Sequence, residues 1–167
     1  MPIYMGIFEK PNVLDKSFKG EVKAKGYVGW IELESAQIGT SRHITSPTGR
    51  GSNREGSTPS IQEIVVTKYH DSASTALFRE ALNGHGKLIV IAFVKGDESV
   101  YLRIVLQDTL ISSYSMSGHG GASHDRPMES LSLNFTKVTY ETLPKSPDTT
   151  HSQMYQLSLQ PSWDSYP

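Results

Sequence analysis

The sequence predicts a mainly β protein, arranged as a two-sheet β-barrel with one flanking α-helix. Val, Ile, Thr, Ser and Tyr dominate its periodic stretches, which favours strands, and only one segment repeats apolar residues at helical spacing. With 167 residues and no cysteine, the chain is long enough for one well-filled core and short for two domains without disulfides. We therefore expect a single β-barrel domain over residues 1–143 with an extended loop at 40–60. A polar tail follows over 144–167, in which residues 154–159 could form one short strand.

The first strands are predicted at residues 3–9 and from Trp30 onward. In the second of these, Ile31 and Leu33 share one face, with Glu32 opposite. The two-residue period of a strand then places Ala36 on the glutamate face. A bulge or bend partway along the strand is the expected cause of this change of face.

Residues 40–60 are rich in Gly, Ser, Thr, Arg and Pro, and they contain too few apolar side chains to contribute to a core. This stretch is longer than an ordinary connection, so it is either solvated or functional. Its arginines, Arg42, Arg50 and Arg54, could contact acidic groups of another subunit or remain in a solvated loop.

A strand at residues 61–69 leads into the only predicted helix. Residues 71–74, with the sequence DSAS, supply side chains suited to a helix N-cap. Ala73, Leu77 and Ala81 follow at helical spacing, and Gly84 stands where a helix is expected to end.

The remaining strands follow the helix in close succession. Residues 87–95 form a nearly continuous apolar run, which predicts a strand buried on both faces, and residues 99–109 alternate cleanly and form a hairpin with it. A loop at 118–126 precedes the last strong strand, at 129–140. Its apolar face switches near Thr136, as expected of a strand bent between two sheets.

Composition excludes several classes of function. The formal net charge is −1, which argues against a nucleic-acid interface, and no apolar run approaches the roughly 20 residues needed to cross a bilayer. The N-terminus lacks the charged and apolar regions of a signal peptide, so export is expected to proceed without a cleavable signal. The sequence contains no Gly-x-Ser-x-Gly nucleophile elbow and no Walker loop.

Two groups of polar residues keep an alternative function open. His119, His124 and Asp125 could form a metal site or an acid/base pair, but no strand or helix spacing fixes their geometry, which favours polar loop residues. Glu32 and Glu34 could act as paired carboxylates, although strand alternation favours a solvated face. A ligand-binding or catalytic barrel therefore stands as the alternative to an assembling one, and an adhesin-like module would need an export signal.

Unpaired strand edges and a second apolar face favour self-association.

Several short motifs occur in a fixed order along residues 1–140. They are GWIEL at 29–33, SPT at 46–48, IVVTK at 64–68, DSAS at 71–74, LISSYS at 110–115 and DRPMESLSLNFTK at 125–137. Together they resemble the Hcp family, the haemolysin-coregulated proteins of bacterial type VI secretion systems.

The resemblance implies a structural protein without catalytic residues, cofactor or metal. Six subunits would close a ring, and rings would stack into an inner tube that a contractile sheath fires from the cell. The implied partners are further copies of the chain, the spike and sheath proteins, and effector proteins carried in the lumen, with no nucleic acid and no membrane insertion. Secretion through the type VI system would start from the bacterial cytoplasm.

Three sets of residues are the predicted sites of such an assembly. The candidate assembly loop contributes Arg42, Arg50 and Arg54. The candidate subunit contact comprises Ser113, Tyr114, Asp125 and Arg126. The candidate lumen-facing residues are Glu32, Glu34 and Gln37, which strand alternation places on a polar surface.

Overall fold

The computed structural model describes residues 1–42, 44–45, 55–56, 60–121, 125–143 and 153–158. Its elements are β1 (Ile3–Lys10), β2 (Val13–Leu14), a 3-10 turn (Lys16–Phe18), β3 (Ile31–Leu33), β4 (Ser35–Gln37), β5 (Thr40–Ser41), β6 (Ile44–Thr45), β7 (Glu55–Gly56), β8 (Ser60–Ile61), β9 (Ile64–Tyr69), α1 (Ser74–Asn83), β10 (Lys87–Val94), β11 (Val100–Ser117), β12 (Met128–Asn134), β13 (Lys137–Thr142) and β14 (Gln153–Ser158). The predicted mainly β architecture with one helix is confirmed for this part of the chain.

The strands form two linked antiparallel sheets. The large sheet has the order β2–β1–β10–β11–β13–β14, with β3 also paired to β1. The small sheet has the order β11–β12–β9–β4. Strand β11 belongs to both, because its first half pairs with β10 and β13 and its second half with β12.

The predicted changes of face are the places where the chain passes between the sheets. Strands β3 and β4 are separated at Glu34, so β3 joins the large sheet and β4 the small one. Strands β12 and β13 are likewise separated at Phe135 and Thr136, so β12 joins the small sheet and β13 the large one. The single strand predicted at 129–140 is therefore two strands. Because β4 and β14 each pair on one side only among the described strands, the architecture is a pair of linked sheets and not a continuously closed barrel.

The core lies between the two sheets and follows the alternation of their strands. Its fully buried members include Met5, Ile7, Ile31, Ile64, Val66, Ile89, Ile91, Ile104, Leu106, Leu131 and Leu133. Each such side chain contributes about 1.5–3 kcal/mol of hydrophobic free energy, so this layer provides the main driving force for folding. The other face of β10 follows the prediction only in part, since Ala92 is fully buried there but Leu88 and Val90 are half-buried.

Helix α1 closes one end of the space between the sheets. Asp71 Oδ1 accepts from the backbone N–H of Ala73 at 3.0 Å and so orders the turn that enters the helix. The helix ends at Gly84, as predicted. A Cβ at Gly84 would lie 2.3 Å from the carbonyl oxygen of Glu80, so close backbone approach, and not a left-handed φ, requires glycine there.

The stretch predicted as an extended loop contains short ladders. Strand β5 pairs with β8, and β6 pairs with β7, so the chain leaves the small sheet and returns in hairpin fashion. Arg50 and Arg54 lie outside the described residues. In the part of the chain that the structure covers, no helix is long and apolar enough to cross a membrane.

Candidate assembly surfaces

A buried ion pair lies beneath the start of α1. Lys68 of β9 and Glu129 of β12 are directly opposite each other in the ladder and point into the space between the sheets. Both side chains are fully buried, and Lys68 Nζ lies 2.6 Å from Glu129 Oε2. Burial of unpaired charge costs several kcal/mol, so this pair depends on close partners for every polar atom.

The surrounding residues supply those partners. Lys68 Nζ donates to the carbonyl oxygen of Tyr69 at 2.9 Å and to Ser74 Oγ at 3.1 Å, and it lies 2.9 Å from Asp71 Oδ1. Ser74 Oγ in turn donates to Glu129 Oε2 at 2.9 Å. Because Asp71 and Ser74 belong to the first turn of α1 and the residues before it, the cluster fastens the helix to the small sheet.

Tyr114 of β11 completes the cluster from the third strand. Its hydroxyl donates to Glu129 Oε1, and its ring meets the edge of Phe78 at a centroid distance of 5.6 Å. His70 Nδ1, on a half-exposed side chain, lies 3.2 Å from the same carboxylate oxygen. Tyr114 was predicted as a subunit contact, and the structure places it in contacts within its own chain.

The electrostatics of the cluster favour an ionised Glu129. Burial acts to raise the pKa of the Glu129 carboxyl, but the hydrogen bonds from Lys68, Tyr114 and Ser74 outweigh it and lower that pKa. Burial, with the hydrogen bond to Glu129, raises the pKa of Tyr114. Because the Glu129 carboxylate is fully buried and accepts hydrogen bonds from Lys68, Ser74 and Tyr114, the arrangement is suited to holding elements together.

Sequence reasoning missed Lys68 and Glu129, although a signal was present. Ile64, Val66 and Lys68 alternate on one face of β9, and Lys68 is therefore an inward position that carries a charge. Glu129 continues the same inward row beyond Leu131 on β12. Two neighbouring strands thus each end an inward apolar row with a charged residue, and the two charges are of opposite sign. This pattern indicates a buried ion pair.

The predicted lumen-facing residues lie on an acidic surface. Glu32 and Glu34 are exposed and line a small recess together with Glu21, Asp71 and Arg126. Arg126 Nη1 donates to Glu21 Oε2 at 3.1 Å. Arg126, a predicted subunit contact, therefore lines the same recess as the predicted lumen-facing residues Glu32 and Glu34. Gln37 is also exposed, but it lies farther along, on β4.

The other predicted site residues are dispersed over the surface. Ser113 is exposed on β11 opposite Ser132, and Asp125 and Arg42 are exposed as well. His124 lies outside the described residues. Within the described ranges, no group of three or more His, Asp and Glu side chains could hold a metal ion.

The outer face of the large sheet, the side away from the core, forms a broad concavity. Ladder register aligns one outward row across five strands, made of Gly6, Val90, Val105, Thr139 and Gln156. The concavity over this row has a volume of about 690 Å³. An ion pair between Arg103 and Glu141, 2.8 Å apart, lies on the neighbouring row.

Aromatic rings form one wall of this concavity. Trp30 meets the Tyr27 ring edge-on at 5.0 Å and the Phe8 ring at 5.5 Å between centroids. Gly6 makes room for this wall, because a Cβ there would lie 3.0 Å from the Trp30 ring. Strand β14 bounds the opposite side through Gln156.

Comparisons with known proteins agree on one family. Residues 5–141 match the family model described as type VI secretion system effector, Hcp. Protein Hcp1 of Pseudomonas aeruginosa is 32% identical over 92 residues, which cover 53% of this chain and 56% of that protein. The match thus spans little more than half the length of this curated relative.

Solved structures share the fold across nearly the whole chain. A type six secretion system protein superposes with a TM-score of 0.81 at 23% identity, covering 95% of both chains. Hcp1 from Salmonella typhimurium superposes with a TM-score of 0.72 at 20% identity, covering 95% of this chain and 94% of that one. With the family model covering residues 5–141, this chain belongs to the Hcp family of type VI secretion proteins.

Proposed function

We propose that this chain is a subunit of the inner tube of a type VI secretion system, in which six copies close a ring and rings stack. The observation that carries the proposal is the family match over residues 5–141, supported by a shared fold over 95% of the chain. The lumen of the ring would carry and protect effector proteins. The protein acts as a building block and not as an enzyme.

Open strand edges provide the physical reason for assembly. In the described part of the chain, β2 and β14 each pair on one side only, which leaves their outer edges without a ladder partner. Phe78 and Leu82 are 53% and 68% exposed on the outer side of α1. Contacts between identical subunits would cover such edges and apolar side chains.

The predicted site residues receive these roles in the proposal. Arg42, Arg50 and Arg54 belong to the arm over residues 40–60, which contacts the next ring. Ser113, Tyr114, Asp125 and Arg126 form or brace the contact with a neighbour in the same ring. Tyr114 and Arg126 act mainly by bracing, because their polar groups already bind Glu129 and Glu21 within the chain. Glu32, Glu34 and Gln37 face the lumen.

The subunit also has a proposed domain arrangement, a set of partners and a route of export. Residues 1–143 form the main domain of the subunit, and β14 adds an edge strand to its large sheet by pairing with β13. The partners are the spike and sheath proteins and the effectors in the lumen. The subunit leaves the bacterial cytoplasm through the type VI system.

Native mass spectrometry together with negative-stain microscopy tests ring formation. The expected species has six times the 18.5 kDa mass of one chain, and the images should show closed rings with a central hole. A protein that stays monomeric at high concentration would contradict the proposal.

Removing the arm tests ring stacking separately. Deletion of residues 42–57 should leave the subunit soluble and rings closed, because this stretch of sequence offers few apolar side chains to a core, while stacking weakens. Replacing Lys16, Lys19 and Lys23 by Ser is a matched control, since it removes three exposed positive charges from another surface. Tubes of unchanged length after the deletion would argue against a stacking role for the arm.

A further inference from the structure

We propose that the concavity on the outer face of the large sheet binds a neutral oligosaccharide. The inference goes beyond tube formation, because it assigns a class of ligand to a surface of the single subunit. It rests on the aromatic wall, on the balanced charges of the lining, and on the polar groups that the floor presents.

The backbone of its own loop holds the aromatic wall in place. The Trp30 N–H donates to the carbonyl oxygen of Tyr27 at 3.0 Å, and the Gly29 N–H donates to that of Val22 at 2.9 Å. The rings of Tyr27 and Phe8 each meet the Trp30 ring edge-on, and all three rings line the concavity. A wall that is already ordered loses little conformational entropy when a ligand binds, which favours affinity.

The charged side chains of the lining balance one another. Two of them are positive and two are negative, namely Lys25, Arg103, Glu98 and Glu141. Arg103 and Glu141 also pair with each other across the ladder, at 2.8 Å. A lining without net charge gives no excess attraction to an anion or to a cation, so it favours a neutral ligand.

The polar groups of the lining include both hydrogen-bond donors and acceptors. Arg103 donates through Nε and Nη2 to Glu141 Oε2, and within the described chain Arg103 Nη1 and Glu141 Oε1 have no further partner. The exposed side-chain amides of Gln107 and Gln156 each add donors and an acceptor. A hydroxyl group both donates and accepts, so a ligand rich in hydroxyls can bind all of these groups.

A sugar ring combines the apolar and polar properties that this lining requires. Where its substituents are equatorial, both ring faces carry only C–H groups, which pack on aromatic rings, while the hydroxyls lie at the ring edge. Val90 and Val105 supply an apolar part of the floor.

The dimensions of the concavity suit more than one sugar ring. Its volume of about 690 Å³ lies within the range of roughly 300–1,000 Å³ that is typical of ligand sites. The outward row from Gly6 to Gln156 crosses four strand spacings, or roughly 19 Å, which is several times the width of one ring. An oligosaccharide therefore fits the concavity better than a monosaccharide.

Fluorescence titration of the full chain with cellopentaose tests the proposal. Cellopentaose is a neutral chain of glucose units whose ring substituents are equatorial. Trp163→Phe leaves Trp30 as the single tryptophan, so the emission reports on the aromatic wall in a monomer and in an assembled ring alike. We expect a saturable change in Trp30 emission at millimolar cellopentaose, and the absence of any saturable change would overturn the proposal.

Two variants in the same background test where the sugar binds. Tyr27→Ser removes part of the aromatic wall, and Gln107→Ala removes an amide from the floor. Each should raise the dissociation constant about threefold to tenfold. Tyr140→Ser is the matched control, because Tyr140 is 41% exposed and its register with Ile104 places it on the opposite face of the sheet. An unchanged dissociation constant in both Tyr27→Ser and Gln107→Ala would place the sugar elsewhere and overturn the proposal.

A second probe separates a sugar from an aromatic side chain of a peptide. N-acetylphenylalaninamide carries an aromatic ring and amides but no hydroxyl groups. We expect it to bind more weakly than cellopentaose, because it cannot engage the polar groups of the floor through hydroxyls. A saturable response to this amide without one to cellopentaose would show a peptide-binding surface and would overturn the proposal.

Discussion

Replacement of Lys68 by Met tests the role of the buried ion pair. The methionine side chain is one atom shorter than that of lysine and fills most of its volume, so the change removes the charge without opening a large cavity. It leaves the carboxylate of Glu129 fully buried without its cation, and it deprives Asp71 of the same partner. Removing one member of a buried ion pair typically costs about 3–5 kcal/mol.

The expected cost lies at the lower end of that range. Glu129 keeps hydrogen bonds from Ser74 and Tyr114, and bonds to a charged group retain about 1.5–3 kcal/mol each. We therefore expect Lys68→Met to reduce the free energy of unfolding by about 3 kcal/mol. For a domain of this size the midpoint temperature should fall by roughly 6–12 °C.

Urea unfolding followed by circular dichroism measures this loss. All variants are compared at one low protein concentration, because subunit association raises the apparent stability. Lys23→Met is the matched control, since Lys23 is exposed, and it should change the free energy of unfolding by less than about 0.5 kcal/mol. The double variant Lys68→Met, Glu129→Leu should be more stable than Lys68→Met alone, because no buried carboxylate is left unpaired at position 129. A loss below about 1 kcal/mol for Lys68→Met would refute the reasoning, since it would mean that the pair behaves like an exposed one.

Three further outcomes follow from the cluster, the core and the aromatic wall. Folding lowers the pKa of the Glu129 carboxyl below its usual value. Its stabilisation is therefore complete above that usual pKa and is lost as the pH falls through the folded pKa. Acid titration of the free energy of unfolding should therefore be flatter in Glu129→Gln than in the parent protein. Leu131→Ala should cost about 2–5 kcal/mol in urea unfolding, whereas Leu82→Ala, at an exposed position, should cost under about 0.5 kcal/mol. In a Trp163→Phe background, which leaves Trp30 as the single tryptophan, Gly6→Val should displace the Trp30 ring and shift its fluorescence, at a cost of about 1–3 kcal/mol. Unchanged Trp30 emission would contradict the assigned contact.

The strand pattern and the changes of sheet were predictable because side-chain alternation is a local property. A strand that moves between two sheets must turn its apolar side, so the changes of face near Glu34 and Thr136 appear directly in the sequence. The helix was predictable for a similar reason, since its spacing and its terminal Gly84 lie within one short segment.

The features that were missed depend on pairings that are distant in sequence. Lys68 and Glu129 are 61 positions apart, and each alone resembles a solvated charge at the end of a strand. The run at 87–95 was expected to be buried on both faces, but Leu88 and Val90 on its outer face are half-buried. An apolar sequence does not show which face of a strand lacks a covering layer. The open outer face depends on where β14 and the aromatic wall lie, and neither position follows from alternation. The roles of the predicted assembly residues stay predictions.

Strand β11 has a consequence for the way the subunit unfolds. This strand of 18 residues carries ladder bonds to β10, β13 and β12, so both sheets share one backbone. Neither sheet can separate from the rest while β11 stays intact, and disruption of β11 removes support from both at once. The amide hydrogen exchange rates of β10 and β12 should therefore rise with denaturant concentration in parallel. The two sheets would then open as a single cooperative unit and not as two layers that unfold independently.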